Sequence, residues 1–499
     1  MAETLRADVI VVGSGAGGAP AAASLAEAGL DVLLLEAGPR VETREVNGEP
    51  RDMVPRLMTA VTSAESGFEI YAGRCVGGST VVNDALCWRP PPEILADWRS
   101  RFGLASWTDA ALAPYVDRAW RTVNASPTDD AHLSRNARLL ALGAERLGWA
   151  AEAMPRTERG CANLGLCNVG CPTGAKQSAL VSWVPEAERA GARVLAPVRV
   201  DRILFRGDAA SGVQATRLDP ASGAPQGDLI AEAEAVCLAG GVLGTPALLL
   251  RSGVEGRGVA AGSGIQCHSS VHVTARFEQP VHGYYGPTMA YAVSEFSDVN
   301  GRTGPGFMIE NVTVDPFTTA TSLPGVGAQH AARMAALPHL ARSLVVLRDA
   351  TRGAIDLDRA GGPAVRYVPL PADLARLREG MAAIARAYLA AGATEVYLPL
   401  YGSTPIRRES DLAAIATGDV SARTLTLLYA VHLFGGAAMA GDAARGLCDE
   451  DGRVFGASGL WVSDASALPT NTGVNPQITI MAHALRVAAA IHAEAGRSA

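Results

Sequence analysis

The first 36 residues constrain the fold more than any other stretch of the chain. Residues 7–13 (ADVIVVG) are a short β-branched run that predicts a buried parallel strand. Residues 15–30 form an Ala-rich stretch that predicts a helix, and residues 31–36 (DVLLLE) predict a second strand. The turn between the first strand and the helix carries Gly13, Gly15 and Gly18 in G-x-G-x-x-G spacing, and the second strand ends on Glu36. Glycines there allow a tight turn and let backbone N–H groups and the helix N-terminus approach a pyrophosphate. Glu36, about twenty residues on, is placed to accept hydrogen bonds from an adenosine ribose and to repel a 2′-phosphate. A β-α-β unit that binds a dinucleotide is implied. The motif alone leaves NAD and FAD undivided.

Composition removes several other classes. The chain has 499 residues, 48% of them hydrophobic, which excludes a disordered chain, and its length suits two to four domain-sized cores. A net charge of −7 offers no basic footprint for nucleic acid. No apolar run reaches the length of a membrane span, and no basic segment followed by a hydrophobic stretch opens the chain. A cytoplasmic enzyme is the expectation. Of the eight cysteines, five are scattered among apolar neighbours and read as buried thiols. Cys161, Cys167 and Cys171 are clustered, and Lys176, the only lysine, follows them closely. In a reducing compartment such a cluster points to metal or redox chemistry more than to structural disulfides.

The later segments repeat and then interrupt the first style. After Glu36 the pattern loosens into Gly- and Pro-containing loops up to about residue 92, and residues 93–150 read as mostly helical. Strands are expected within 194–205, 212–218 and 235–240, the last entering a Gly-rich turn and helix. From about 271 to 367 the stretches alternate, as in HVTARF and SLVVLRDA, which fits an antiparallel, half-solvated sheet. A helix over 373–391 follows, then a strand at 460–464 and a helix from about Pro476. The expected fold is α/β: a Rossmann-like domain built from 1–105, 176–270 and 425–499, a helical and cysteine-loop insertion at 106–175, and a second domain with a mainly antiparallel sheet over 271–424.

Three further segments narrow the cofactor: GRCVGGSTVVN at 73–83, AGGVLGTP at 239–246 and LWVSDASALPTNTGVNPQITI at 460–480. With the N-terminal motif, and in the same order, they resemble the glucose–methanol–choline (GMC) family of flavoprotein oxidoreductases. The resemblance spans nearly the whole chain and weakens between about 270 and 420. It implies FAD extended across the Rossmann-like domain and alcohol oxidation by hydride transfer to flavin N5. It places Gly13, Gly15, Ala16, Gly18, Glu36, Ala37, Gly77, Gly78, Ser79 and Asn83 along the cofactor, Val200 at the adenine end, and Asp464 and Ala465 beside the ribitol and pyrophosphate. Asn475 can act as N-cap and Pro476 as first residue of the last helix, whose N-terminus would stabilise negative charge on the reduced flavin. Some members attach FAD through a His just after the Gly-Gly-Ser segment. Here that stretch is Thr80, Val81 and Val82, so non-covalent FAD is expected.

Hydride abstraction from an alcohol needs a base for the hydroxyl proton. His432, in VHLFGG, matches the family's catalytic His segment and is the expected base; Asn475 matches the second catalytic position and would orient the substrate oxygen. Leu433 and the split Met439-Ala440-Gly441 depart from the family pattern nearby. His268, His272 and His483 are expected to be structural. The loop GCANLGLCNVGCPTGAK resembles that of family dehydrogenases with a three-iron (3Fe–4S) cluster, with Cys161, Cys167 and Cys171 as ligands and Lys176 balancing charge. Free thiols or one disulfide are the alternative. With a cluster, electrons would pass to a quinone or cytochrome rather than to oxygen. The expected function is FAD-dependent oxidation of a small-molecule alcohol, a sugar or aminosugar hydroxyl among the candidates. An oxygen-using alcohol oxidase and a flavin-dependent lyase are the alternatives.

Overall fold

A computed structural model of the chain describes all residues except 1–2, 255–257, 414, 416–419, 422 and 499. The expected domain limits at 1 and 499 lie outside the described residues, as do several positions within 271–424.

The β-α-β unit forms as expected. Val9–Val12 is the middle strand of a parallel sheet, flanked on one side by Val32–Leu35 and then Arg193–Leu195. On the other side lie Ala235–Leu238 and then Leu460–Val462. Strands far apart in sequence thus share one sheet. Val9–Val12 and Val32–Leu35 are buried at every position, the pattern of parallel strands covered on both faces. Beside this sheet, Val198–Arg206, Ala209–Leu218 and Pro225–Glu232 run antiparallel, and Glu3–Arg6 joins the last of them in parallel.

A larger sheet supplies the opposite wall. Its centre pairs Ser270–Arg276 with Leu340–Leu347 and Leu340–Leu347 with Phe307–Asn311, all antiparallel. Side chains alternate across these strands, and the two faces differ in chemistry. Val271, Val273, Val345, Phe307 and Ile309 share one apolar cluster with the helix Pro371–Ala390. The fit is close: a Cβ on Gly380 of that helix would lie 2.7 Å from a Val345 methyl. His272, Arg342 and Glu310 belong to the other face. The centre of the sheet is therefore buried on both sides, not half-solvated: on its second face Arg342 is enclosed by Thr318 and Ser322 of the Pro316–Ser322 helix, and His272 lies between Arg342 and Tyr429.

The expected limits between segments are crossed by strand pairing. Met58–Thr62 and Glu69–Gly73, within a stretch expected to be loops, form a hairpin that joins the large sheet through Tyr429–Ala430. Ala151–Ala153 adds to its far edge beside Tyr291–Val293. These strands are short and carry exposed or half-buried positions, so they lack the apolar run that marks a buried strand in sequence.

Candidate active site

Two glycine loops meet where the strands of the parallel sheet end. Gly18 must be glycine for packing, since an added Cβ would lie 1.8 Å from the Gly13 carbonyl oxygen. Gly15 faces open space: a Cβ there meets only the Gly78 Cα, at 3.7 Å. Ser14 ties the two loops together. Its N–H and O–H both donate to one Glu36 carboxylate oxygen, at 3.0 and 2.7 Å, and its oxygen accepts from the Gly77 N–H at 2.9 Å. The other Glu36 oxygen accepts from the Gly38 N–H at 2.8 Å, beyond Ala37. Burial raises the Glu36 pKa, opposed by the Ser14 and Gly38 bonds and by Arg74. Glu36 therefore braces the loop.

The remaining expected cofactor residues gather around these loops. The Val198 N–H donates to the Glu36 carbonyl at 2.7 Å, which brings the strand holding Val200 to the Glu36 end. Ser79 accepts from the Gly73 N–H at 2.9 Å. Asp464 bridges two elements. One carboxylate oxygen accepts from the Gly241 N–H and the Thr245 hydroxyl at 2.7 and 2.6 Å, and the other from the Ser466 N–H and hydroxyl at 2.8 and 2.5 Å. Asp464 thus anchors the turn after the last strand to the Gly241–Arg251 helix, and the Ala465 carbonyl accepts from the Gly435 N–H. Asn83 donates to the Gln477 side chain at the start of the last helix. The donors and open surface at Gly13, Gly15 and Ala16 form a cradle that fits a dinucleotide pyrophosphate.

His432 and Asn475, 43 positions apart, come together, with Asn475 Nδ2 3.4 Å from His432 Nε2. Burial pushes the His432 pKa down to about 4, so the imidazole is neutral near neutral pH and able to take a proton. Asn475 does not cap the last helix. Its Oδ1 has no hydrogen-bond partner, and its amide is turned to His432. Pro476 opens the first helical turn, its carbonyl accepting from the Ile480 N–H.

His268, expected to be structural, lies directly against His432. Its Nδ1 faces His432 Nδ1 at 3.2 Å, its backbone N–H donates to the His432 carbonyl, and its Nε2 accepts from the Gly473 N–H at 3.1 Å. Its pKa is held well below the usual value by burial, then by His432 and Arg348. The other two histidines stand apart from this pair. His272 bridges the Arg342 guanidinium at 2.6 Å and the Tyr429 hydroxyl at 2.8 Å, and His483 bonds the Val462 carbonyl at 3.0 Å.

Cys161, Cys167 and Cys171 line one cavity together with Lys176 and Arg156. Each sulfur sits in its own surroundings. Cys167 accepts from Arg156 at 3.6 Å, whereas Cys171 meets Thr173 and the Lys176 N–H at 3.3 and 3.5 Å. Burial raises the Cys161 thiol to about 11. Among the described residues, no group of three or more His, Cys, Asp or Glu side chains is placed to hold a metal ion. The three thiols are not drawn around one common metal position, and all three are free. Lys176 serves the loop in another way. Its buried ammonium donates to the Val81, Asn83 and Cys167 carbonyls, pinning the cysteine loop to the segment before Asp84.

Sequence reasoning missed Ser14, His268 and Glu310. Ser14 lay inside the glycine motif, at a position the motif leaves free. His268 stands beside Ser269 and Ser270 with no motif around it, and Glu310 belongs to the region where the family resemblance is weakest.

A family model described as GMC oxidoreductase matches residues 8–270, and a second, of the C-terminal part of the same family, matches 349–484. An uncharacterized GMC-type oxidoreductase of Mycobacterium tuberculosis is 36% identical over 97% of this chain and 75% of its own length. A long-chain-alcohol oxidase of Arabidopsis thaliana is 27% identical over 98% of this chain and 67% of its own. The crystal structure of pyridoxine 4-oxidase from Mesorbium loti superposes with a TM-score of 0.73 at 19% identity, covering 97% of this chain and 99% of that one. At that identity the superposition establishes the shared fold.

Proposed function

Because the chain belongs to the GMC oxidoreductase family, we propose that it oxidises a primary or secondary alcohol to the aldehyde or ketone, with non-covalent FAD held by the two glycine loops. The observation that carries this reading is the pairing of His432 Nε2 with Asn475 Nδ2 at 3.4 Å. FAD, when bound, supplies the hydride acceptor. The chain's own residues handle the oxygen and its proton. Asn475 Nδ2–H can donate to the substrate oxygen and hold it at His432, and the neutral imidazole takes the hydroxyl proton at Nε2. Depressing the His432 pKa keeps the ring unprotonated at rest, at some cost in basicity.

Gly13, Gly15, Ala16 and Gly18 would hold the pyrophosphate, Glu36, Ala37 and Val200 the adenosine half, and Gly77, Gly78, Ser79, Asn83, Asp464, Ala465 and Pro476 the remainder. No step is routed through the cysteine loop. A named long-chain-alcohol oxidase and a structural neighbour named pyridoxine 4-oxidase support an alcohol as substrate without selecting one. Screening the yellow holoenzyme against alkyl, aryl, sugar and aminosugar alcohols, by dye reduction and by oxygen uptake, tests the reading and identifies the acceptor. A flavin-loaded protein that reduces no acceptor with any alcohol, yet splits a cyanohydrin, would replace the oxidase reading with the lyase.

A further inference from the structure

Glu310 occupies the fourth position of Phe307–Asn311 and belongs to the polar face of the large sheet. It is 0% exposed, and neither carboxyl oxygen has a hydrogen-bond partner; Asn475 Oδ1 likewise has none. Three unpaired acceptors this close together are costly for a buried site. Asn475 lies against the carboxyl, so one proton can pair two of the three in a single hydrogen bond. A neutral carboxylic acid has an O–H to donate to Asn475 Oδ1, which leaves Nδ2 directed at His432 Nε2. A carboxylate can only accept, so it draws Nδ2 to itself and turns Oδ1 toward His432.

That choice reaches the imidazole. His268 Nε2 accepts from Gly473, which places the proton of neutral His268 on Nδ1, facing His432 Nδ1. With Asn475 Oδ1 toward it, His432 is satisfied on both sides by carrying its proton on Nε2, where a base needs a lone pair. With Nδ2 toward it, that arrangement sets two donors against each other at Nε2; the form with a free Nε2 meets its own donor–donor contact at the His268 Nδ1–H instead, so the Nε2-protonated form loses its advantage and the free Nε2 becomes accessible.

We propose that Glu310 is a positioning residue: in its neutral form it holds the Asn475 amide so that His432 offers an unprotonated Nε2 to the substrate oxygen, and its ionisation withdraws that base. The proposal rests on the alcohol-oxidising reading. Burial is the main reason that Glu310 is pushed up to about 8; Asn475 opposes the shift and the Asp84 charge adds to it. The titratable groups around it are Asp84 and Tyr429, with His432 and His268 beyond Asn475. Arg342 acts on Asp84 and Tyr429, Lys176 acts on Asp84, and neutral His272 joins Arg342 to Tyr429.

The test is kcat/KM against pH for the holoenzyme with an alcohol it oxidises. Wild type should lose about tenfold per pH unit above the Glu310 pKa. Glu310→Gln, whose amide has no charge to gain, should lose roughly two- to tenfold at neutral pH. It should lack the alkaline decline and overtake wild type there. Asn475→Ala should be slower still and also lack the decline. Infrared spectra provide a readout apart from turnover: a neutral carboxylic acid band in wild type that vanishes on alkaline titration and is missing from Glu310→Gln. A decline that persists in either variant, or no such band in wild type, overturns the proposal. A flavin-loaded wild type that turns over no alcohol refutes the functional reading instead, and the infrared titration still decides the state of Glu310.

Discussion

Gly15→Ala separates the cofactor from the fold. The added methyl would meet one protein atom, the Gly78 Cα, at 3.7 Å, an ordinary van der Waals distance, and Gly15 does not hold a left-handed conformation. At such a site Gly→Ala leaves the native contacts intact and stabilises by roughly 0.4–1 kcal/mol through the unfolded chain. The apoprotein should therefore melt within a few degrees of wild type, about 2–4 °C per kcal/mol for a large domain. If the loop cradles a pyrophosphate, the same methyl occupies the space that the ligand needs. Overpacking of this kind costs about 1–3 kcal/mol, which is roughly five- to 150-fold in Kd. The assay is FAD titration of acid-stripped apoprotein, followed by flavin fluorescence, alongside thermal melts of the same samples. Gly18→Ala is the control, because its Cβ would overlap the Gly13 carbonyl and should lower the melting temperature of the apoprotein itself. A Gly15→Ala protein that binds FAD as tightly as wild type would refute the cradle. One that melts as low as Gly18→Ala would refute the claim that the space around Gly15 belongs to a ligand.

His432→Ala should lower kcat/KM by about 10²–10⁴-fold, the usual worth of a positioned base. Its flavin content, read from the absorbance ratio, should stay at the wild-type level, because His432 is not among the residues proposed to hold FAD. The His432 pKa, lowered from 6.5 to about 4 by burial, fixes an acid limb: kcat/KM should fall as pH drops through about 4. The same shift makes the unfolded chain bind more protons between those two values, so stability should decline as pH falls through that window, measured by denaturant melts of wild type and His432→Gln. In the cysteine loop, burial would raise Cys171, but the Lys176 and Thr173 bonds hold it below the usual thiol value, whereas Cys161 is raised to about 11. Iodoacetamide followed by peptide mapping should label Cys171 before Cys161. Metal analysis of anaerobically purified protein should find less than one iron per chain, and stoichiometric iron with acid-labile sulfide would show that the loop rearranges around a cluster.

The parts legible in the sequence are those where one physical requirement acts on neighbouring residues. Val9–Val12 and Val32–Leu35 are covered on both faces, so each residue is apolar and the strands stand out. Gly13 and Gly18 announce the turn because backbone must pass backbone there. Met58–Thr62 and Glu69–Gly73 were illegible for the converse reason: they are held by pairing partners from residues 429–430, and their own side chains alternate weakly.

The proposed catalytic pair was legible only through resemblance, and its surroundings explain why. His432 and Asn475 owe their meeting to the route of the chain across two sheets, which no local period records. His268 and Glu310 are further removed still. Each meets the proposed pair through another side chain, His268 through a ring nitrogen of His432 and Glu310 through the Asn475 amide. A residue acting at second hand is constrained by the geometry of its neighbour rather than by the chemistry of the reaction, so it carries no motif of its own. Its trace in the structure is an unsatisfied atom. The orphaned oxygens of Glu310 and Asn475, two residues 165 positions apart, mark one hydrogen bond that a single proton would complete.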